Sequence, residues 1–383
     1  MQSAPLHALE HALWSVEPPG LLSRAAALIF EHTGVPAEVY LIDYRHTHLV
    51  PVEPDLPLIP VDNTPEGHAF AAQQIVTTDD GALVLPLTVY GDRSGILILR
   101  TTEPQDEDAR EAYAGLAGVL ARALRLADAH TDLPRRLRRR ARLTLAAEMQ
   151  WELLPGSACS TDEFRLAGQL EPAYAVWGDN FDWSITSKRL TLTVSNGTGT
   201  GTDAAALTHL AISALRNARR SGGDIVEQAA LADQTLYAAH RGSQHLATLL
   251  LDFELGTGRV RAIDAGSPRV YRLRGGVIDS VDFEAQLPLG MFGDTHYSVQ
   301  EFTVRYGDRL IVVSDGVHTA ESRAGELYGK SALVQAIRDT RLQPPSEAVR
   351  GFIRRFLEYH DGAEPRDDAV VVCLDWRGGA PTE

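Results

Sequence analysis

Apolar residues recur at helical spacing at Leu6, Leu9 and Leu13, and a second apolar-faced helix is predicted from Leu21 to His32, ended by Thr33-Gly34. The pattern then becomes strand-like over Val39–Asp43 and His48–Val52. Ala82–Tyr90 and Ile96–Arg100 flank Gly91-Asp92-Arg93-Ser94-Gly95 and predict a hairpin with those five residues as its loop. A helix is expected from Asp106 to Ala127, its acidic first turn suiting the positive end of the helix dipole. The stretch from Asp132 to Leu154 contains no Gly and places Leu145, Met149 and Leu153 at helical spacing. It predicts a linker helix stopped by Pro155-Gly156. Further on, Leu190–Val194, Arg309–Val313 and Ala369–Leu374 read as strands, and Ala204–Leu207 opens a helix. The fold class is α+β.

At about 100–200 residues per domain, 383 residues suggest two or three domains. The pattern divides the chain into an N-terminal domain (1–128), a linker helix (129–155), a C-terminal domain (156–377) and a flexible tail (378–383). Hydrophobic residues at 44% exclude a disordered chain. A net charge of −15 argues against a nucleic-acid partner, yet charge is uneven along the chain. Residues 1–128 carry −11 and 155–383 carry −7, whereas 129–154 carry +3. Arg135, Arg136, Arg138, Arg139, Arg140 and Arg142 account for that basic stretch. They suit either a phosphate backbone or a solvated helix face that passes signals or pairs with a partner helix. Acidic neighbours and the lack of interleaved aromatics favour the second, and a linker helix of this kind admits a homodimer. Two cysteines, Cys159 and Cys373, exclude a disulfide framework and any multi-cysteine metal site. No apolar run approaches the ~18 residues of a membrane span, and Met1–Val16 lacks a basic leader, so a cytoplasmic protein without membrane contact is expected.

The chemistry gathers in four acidic or amide-bearing turns, each beside a strand-like run. They are Gly178-Asp179-Asn-Phe-Asp182, Ser195-Asn196-Gly-Thr-Gly-Thr-Gly-Thr-Asp203, Ser314-Asp315-Gly316 and Arg366-Asp367-Asp368. One Asp beside Gly is ordinarily a turn residue. Carboxylates drawn from four distant strand ends instead suit an all-oxygen site for hard divalent cations. A pair of such ions lowers the pKa of a bridging water and clamps a phosphoryl group for in-line attack.

These residues resemble the PPM family of metal-dependent Ser/Thr phosphatases, in its bacterial SpoIIE- or RsbU-like branch. The resemblance spans about residues 145–376. It starts at the helix Ala146–Pro155 and continues through Gly178-Asp179, Gly199-Thr-Gly201, Asp264-Ala-Gly266, Gln286–Gly290, Gly307–Leu310, Ser314–Val317 and Asp367-Asp368. It implies an α-β-β-α sandwich of two antiparallel sheets with a Mn²⁺ or Mg²⁺ pair at one edge. By resemblance, Asp179, Asp315 and Asp367 are metal-binding and catalytic aspartates, the Gly197 carbonyl binds metal, and Asp368 assists or positions the last ligand. Asn196 stands where the family has the aspartate that bridges both metals, and a neutral amide offers only one oxygen there. The two-metal site is therefore expected to be weakened, with Asp264 or Asp203 as residues able to restore charge. The family's Asn-Ala-Gly-His is altered to Asp264-Ala-Gly-Ser267, and Trp177 replaces a usual Gly.

The implied function is a phosphoserine/phosphothreonine protein phosphatase acting on a phosphorylated antagonist of an anti-sigma factor. The alternative is a degenerate phosphatase that binds a phosphoprotein without hydrolysing it. A nucleotide-binding reading of Gly197–Gly201 fails because Thr202 stands where Gly is required and no Gly-Lys-Ser/Thr loop occurs. The element order of residues 1–128 resembles a GAF-type sensory domain, which implies a small ligand of unknown identity. No Cys precedes Cys159, so a thioether-linked chromophore is excluded there. A lone His such as His68 is more often structural or solvated than a ligand. Cys373 reads as core, and Ser267 as a loop residue without a neighbouring base in sequence.

Overall fold

A computed structural model of the chain describes residues 3–101, 105–140, 143–172, 176–322, 325–360 and 365–378. Arg142 and tail residues 379–383 lie outside the described residues. The chain forms two compact units, Met1–Arg142 and Leu143–Glu383.

In the first unit, helices α1 (Ser3–Ser15) and α2 (Pro18–Thr33) lead into strands β1 (Ala37–Ile42), β2 (His48–Pro51) and β3 (Ile59–Pro60). Helix α3 (Pro65–Ala72), strands β4 (Val76–Thr77), β5 (Leu83–Val89) and β6 (Asp92–Leu99), and helices α4 (Glu107–Asp128) and α5 (Leu133–Arg138) complete it. The six strands make one antiparallel sheet in the order β3-β2-β1-β6-β5-β4. Both of its faces are covered. Val39 and Leu41 of β1 join α1, α2 and α4 in one core, while Tyr40 and Ile42 face Phe70 of α3 in another. Double coverage is why these strands read as continuous apolar runs instead of alternating ones.

Two expectations are corrected here. The five-residue hairpin loop is in fact a two-residue turn, Tyr90-Gly91, and β6 already begins at Asp92. Both turn residues have positive φ, 51° and 87°, which matches the twist of the flanking strands and closes the hairpin early. The linker also is not one helix. α5 ends at Arg138, and α6 (Leu145–Leu153) starts afresh from Thr144, whose hydroxyl accepts the Ala147 N–H as an N-cap. The basic stretch folds back on its own unit: the Arg138 Nε donates to the Ile42 carbonyl at 2.9 Å, and its guanidinium lies 4.8 Å from the Tyr44 ring. Arg140 reaches His48 Nδ1 at 2.6 Å.

In the second unit, α6 precedes β7 (Ala158–Ser160), β8 (Phe164–Glu171), β9 (Asn180–Ile185) and β10 (Arg189–Asn196). Helices α7 (Gly201–Arg220) and α8 (Ile225–His240) lead to β11 (Ala247–Glu254), β12 (Arg259–Ala265), β13 (Arg269–Arg274), β14 (Val277–Val281) and β15 (Gln300–Thr303). Then follow β16 (Arg309–Val313), α9 (Asp315–His318), α10 (Ala332–Asp339), α11 (Pro345–Tyr359) and β17 (Ala369–Trp376). Two antiparallel sheets result, β15-β12-β11-β10-β9 and β14-β13-β16-β17-β8-β7.

Alternation along the central strands assigns the layers. Leu190, Leu192 and Val194 of β10 meet Leu310 and Val312 of β16 and Val370, Val372 and Leu374 of β17 between the sheets. The opposite face of the first sheet carries α7 and α8 through Leu250 and Ile263, and that of the second carries α10 and α11 through Ile311, Val371 and Cys373. The unit is an α-β-β-α sandwich. Cys373 belongs to the core, where burial pushes its thiol up to about 12. α7 is tied to its sheet by an ionic contact as well: buried Asp182 of β9 accepts from Arg216 Nη2 at 2.8 Å and Arg219 Nη2 at 3.0 Å.

Candidate active site

Antiparallel pairing decides where the four chemical turns fall. Ser195 of β10 sits opposite Asn180 of β9, so the end of β10, with Asn196 and Gly197, lies beside Asp179 just before β9. In the other sheet Val313 sits opposite Val371, so Ser314-Asp315 after β16 lies beside Asp367-Asp368 before β17. Each sheet thus contributes one strand start and one strand end, and the two pairs face each other at one edge of the sandwich.

Electrostatics show the carboxylates' proximity. Burial, and then Asp368, Asp367 and Asp315 in turn, push Asp179 well above the ordinary carboxylate range, with the Ser314 hydroxyl acting in the opposite direction. Asp367 is pushed up to about 7 by burial and by Asp315, with the Asp368 N–H opposing. Like charges this close disfavour joint ionisation, which a divalent cation reverses. Among the described residues no three Asp, Glu, His or Cys side chains close on a common point.

Two glycines allow the close approach. A Cβ on Gly197 would lie 2.0 Å from the Trp177 carbonyl oxygen, and one on Gly316 would lie 1.9 Å from the Asp368 carbonyl oxygen. Without side chains, the Gly197 N–H reaches Asp179 Oδ1 at 3.1 Å, and the β16–α9 turn seats on Asp367-Asp368.

Asp368 is fully buried and has a different part from the other carboxylates. Its Oδ2 accepts from the backbone N–H groups of Trp177 and Gly178 at 2.8 Å and Asp179 at 3.3 Å, and from Gln150 Nε2 at 2.6 Å. This oxygen organises the turn that presents Asp179. Gln150 donates as well to the Asp179 carbonyl at 3.2 Å, and the Thr208 hydroxyl donates to the Gly178 carbonyl at 2.6 Å.

Asn196 is 3% exposed, and neither of its amide atoms has a hydrogen-bond partner among the described residues. Asp179 Oδ2 is likewise buried and unpartnered. Buried polar atoms are ordinarily satisfied, so orphans of this kind, together with an all-oxygen donor set, fit a hard divalent cation. The two residues expected to restore charge are placed differently. Asp264 accepts the Gly266 N–H at 3.0 Å and is pushed up to about 6 by burial, against that N–H and Arg269. Asp203 is exposed in the first turn of α7.

The sequence reading missed Gln150, a polar residue in an apolar-spaced helix, whose only signal was its burial-prone position between Ala146 and Leu153. It also missed the pairing of Ser267 with Asp315: the Ser267 hydroxyl donates to Asp315 Oδ2 at 3.2 Å, and His318 Nε2 lies 3.3 Å from the Ser267 carbonyl. That imidazole is held below its ordinary pKa by burial and by Arg269, against the Ser267 carbonyl and Asp315. His68, on α3 of the first unit, is exposed.

A family profile described as stage II sporulation protein E (SpoIIE) matches residues 186–377, a stretch that holds Asn196, Gly197, Asp315, Asp367 and Asp368 and begins just after Asp179. Among solved structures, the RsbU and RsbW domains of a Mycobacterium tuberculosis protein align at 21% identity and TM-score 0.50, covering 57% of this chain and 61% of that one. The SiaA PP2C domain of Pseudomonas aeruginosa aligns at 20% identity and TM-score 0.52, covering 60% of this chain and 94% of that domain. The PP2C phosphatase domain of SpoIIE from Bacillus subtilis, with a fragment of its regulatory domain, aligns at 19% identity and TM-score 0.49, covering 58% and 66%. The chain thus spans under two thirds of the Mycobacterium and Bacillus structures. The Mycobacterium and Pseudomonas likenesses establish a shared fold. No curated protein sequence matches the chain.

Proposed function

Because this chain belongs to the SpoIIE family, we propose that it is a metal-dependent protein phosphatase, hydrolysing phosphoserine or phosphothreonine on a signalling protein under the control of its N-terminal unit. The observation that carries this reading is the meeting of Asp179, Asp315 and Asp367 with Gly197 at one edge of the sandwich, close enough that neighbouring carboxylates add to burial in raising the proton affinity of Asp179 and Asp367. Asp179, Asp315, Asp367, the Gly197 carbonyl and the Asn196 amide oxygen would hold Mn²⁺ or Mg²⁺. The ion pair would supply an acidified water and charge neutralisation for phosphoryl transfer. The chain's own residues do the positioning. Asp368 and Gln150 fix the turn that carries Asp179, the Gly197 N–H orients Asp179 Oδ1, and the Ser267 hydroxyl orients Asp315 Oδ2.

The RsbU-like resemblance supports a phosphorylated anti-sigma-factor antagonist as the substrate, and a cytoplasmic location with it. No helix among the described residues is long and apolar enough to cross a membrane. The six-stranded antiparallel sheet of the first unit, with helices on both faces, supports a GAF-like sensory domain that takes a small ligand or pairs with a second copy.

One observation favours a second reading, a degenerate phosphatase that binds its phosphoprotein: Asn196 places a neutral, unpartnered amide where a fourth carboxylate belongs. Hydrolysis of para-nitrophenyl phosphate and of a phosphoserine peptide, with Mn²⁺, Mg²⁺ or EDTA, separates the two. Metal-dependent turnover by the wild type that disappears in Asp315→Ala supports the enzyme. Turnover that emerges only in Asn196→Asp supports the binding protein. No turnover in any form, with no binding of the phosphopeptide, refutes both.

A further inference from the structure

On the strands of the C-terminal unit, Arg189, Arg259, Arg261, Arg272, Arg274 and Arg309 each face a carboxylate. Arg165 of β8 and Arg269 do not. Arg269 is exposed at the first residue of β13, and among the described residues its guanidinium makes no ion pair or hydrogen bond.

Its position follows from the register. Arg269 lies opposite Val313, two residues before Asp315, and two residues after Ser267, whose hydroxyl is 3.2 Å from Asp315 Oδ2. Pro268 between them is buried and fixes the backbone at the strand start. One turn further along α9, His318 touches the Ser267 carbonyl, and the positive charge of Arg269 acts on both His318 and Asp264. Arg269 is therefore a solvent-facing cation beside the strand end that carries Asp315, near Asp264 and His318 and paired with no carboxylate.

An edge built from Asp179, Asp315, Asp367 and Asp368 repels an approaching phosphate dianion unless positive charge accompanies it. Metal ions held by these aspartates would supply part of that charge. A rim guanidinium supplies more, and its planar fork of N–H donors matches two oxygens of one phosphate group. We propose that Arg269 is a substrate-recognition residue that takes the phosphate group of a phosphoserine or phosphothreonine side chain. The proposal deepens, and rests on, the reading of this edge as a phosphatase site.

The test uses the full chain in Mn²⁺, with a phosphoserine peptide and its unphosphorylated twin, measuring binding by fluorescence anisotropy and turnover in parallel. Arg269→Ala is expected to weaken phosphopeptide binding by about tenfold or more, the loss of a charge-assisted pair. Arg269→Lys keeps the charge without the fork and is expected to recover part of it. The unphosphorylated peptide and the Mn²⁺ affinity should be unchanged, and KM should rise more than kcat falls. Equal phosphopeptide affinity in wild type and Arg269→Ala overturns the proposal, as does an equal loss for both peptides. A wild type that binds the phosphopeptide through Arg269 yet never turns it over refutes catalysis while leaving Arg269 its role. A wild type that neither binds nor hydrolyses it removes both.

Discussion

Asp368 offers the sharpest check on how the edge is built. Four donors converge on its Oδ2, three of them consecutive backbone N–H groups of the turn that presents Asp179. Replacing it by Ala strands these donors in a fully buried place. Hydrogen bonds to a charged acceptor contribute about 1.5–3 kcal/mol each. The naive sum overstates the effect, because the carboxylate's own burial is costly and its repulsion of Asp179 would be relieved. A net loss of about 3–4 kcal/mol is expected. Asp368→Asn keeps an acceptor oxygen in place and should cost about 1 kcal/mol. Four of the five tryptophans (Trp151, Trp177, Trp183 and Trp376) belong to the C-terminal unit, so urea unfolding followed by tryptophan fluorescence reports mainly on it. Calorimetric Mn²⁺ titration of the folded variants should show affinity reduced about 10–100-fold, as for other residues that orient ligands. An Asp368→Ala protein within 1 kcal/mol of wild type, or with unchanged Mn²⁺ affinity, would refute the positioning role.

Other expectations follow from the same geometry. Asp367, with a folded pKa of about 7 against about 3.9 unfolded, favours the folded state most below pH 4 and loses that contribution as pH rises through 7. In EDTA the melting temperature should therefore fall between pH 4 and 7 more steeply in wild type than in Asp367→Asn, and parallel slopes would contradict this. Gly316→Ala drives a Cβ into the Asp368 carbonyl and should destabilise the C-terminal unit by about 3 kcal/mol, measured by the same urea unfolding. Asp182→Ala leaves Arg216 and Arg219 of α7 without their buried carboxylate and should cost about 3–5 kcal/mol, whereas a loss under 1 kcal/mol would mean the arginines find water instead.

The sequence was most informative where local chemistry and sheet position agree. β10 and β16 are apolar runs that end at Asn196-Gly197 and Ser314-Asp315, and both strand and turn are visible in the pattern alone. The α-β-β-α layering followed from the family resemblance, since short strands do not announce their partners. The hairpin turn was misplaced because Asp92, Arg93 and Ser94 look like loop residues, whereas pairing with β5 and the salt bridge from Arg125 to Asp92 make Asp92 part of a strand. The linker read as continuous because its break at Thr144 is an N-cap and not a Gly or Pro. Gln150 and Ser267 were illegible as site residues for a common reason: each acts through a neighbour that only tertiary structure supplies.

β17 is the last strand of its sheet in chain order, yet it lies at the sheet's centre, between β16 and β8. During synthesis the halves β14-β13-β16 and β8-β7 therefore emerge without the strand that joins them, and Asp367 and Asp368 arrive only with it. The acidic edge cannot come together piecemeal on the ribosome. A nascent chain lacks half of this edge until β17 threads into place, and a stalled or truncated product exposes two open sheet edges to aggregation and to proteases.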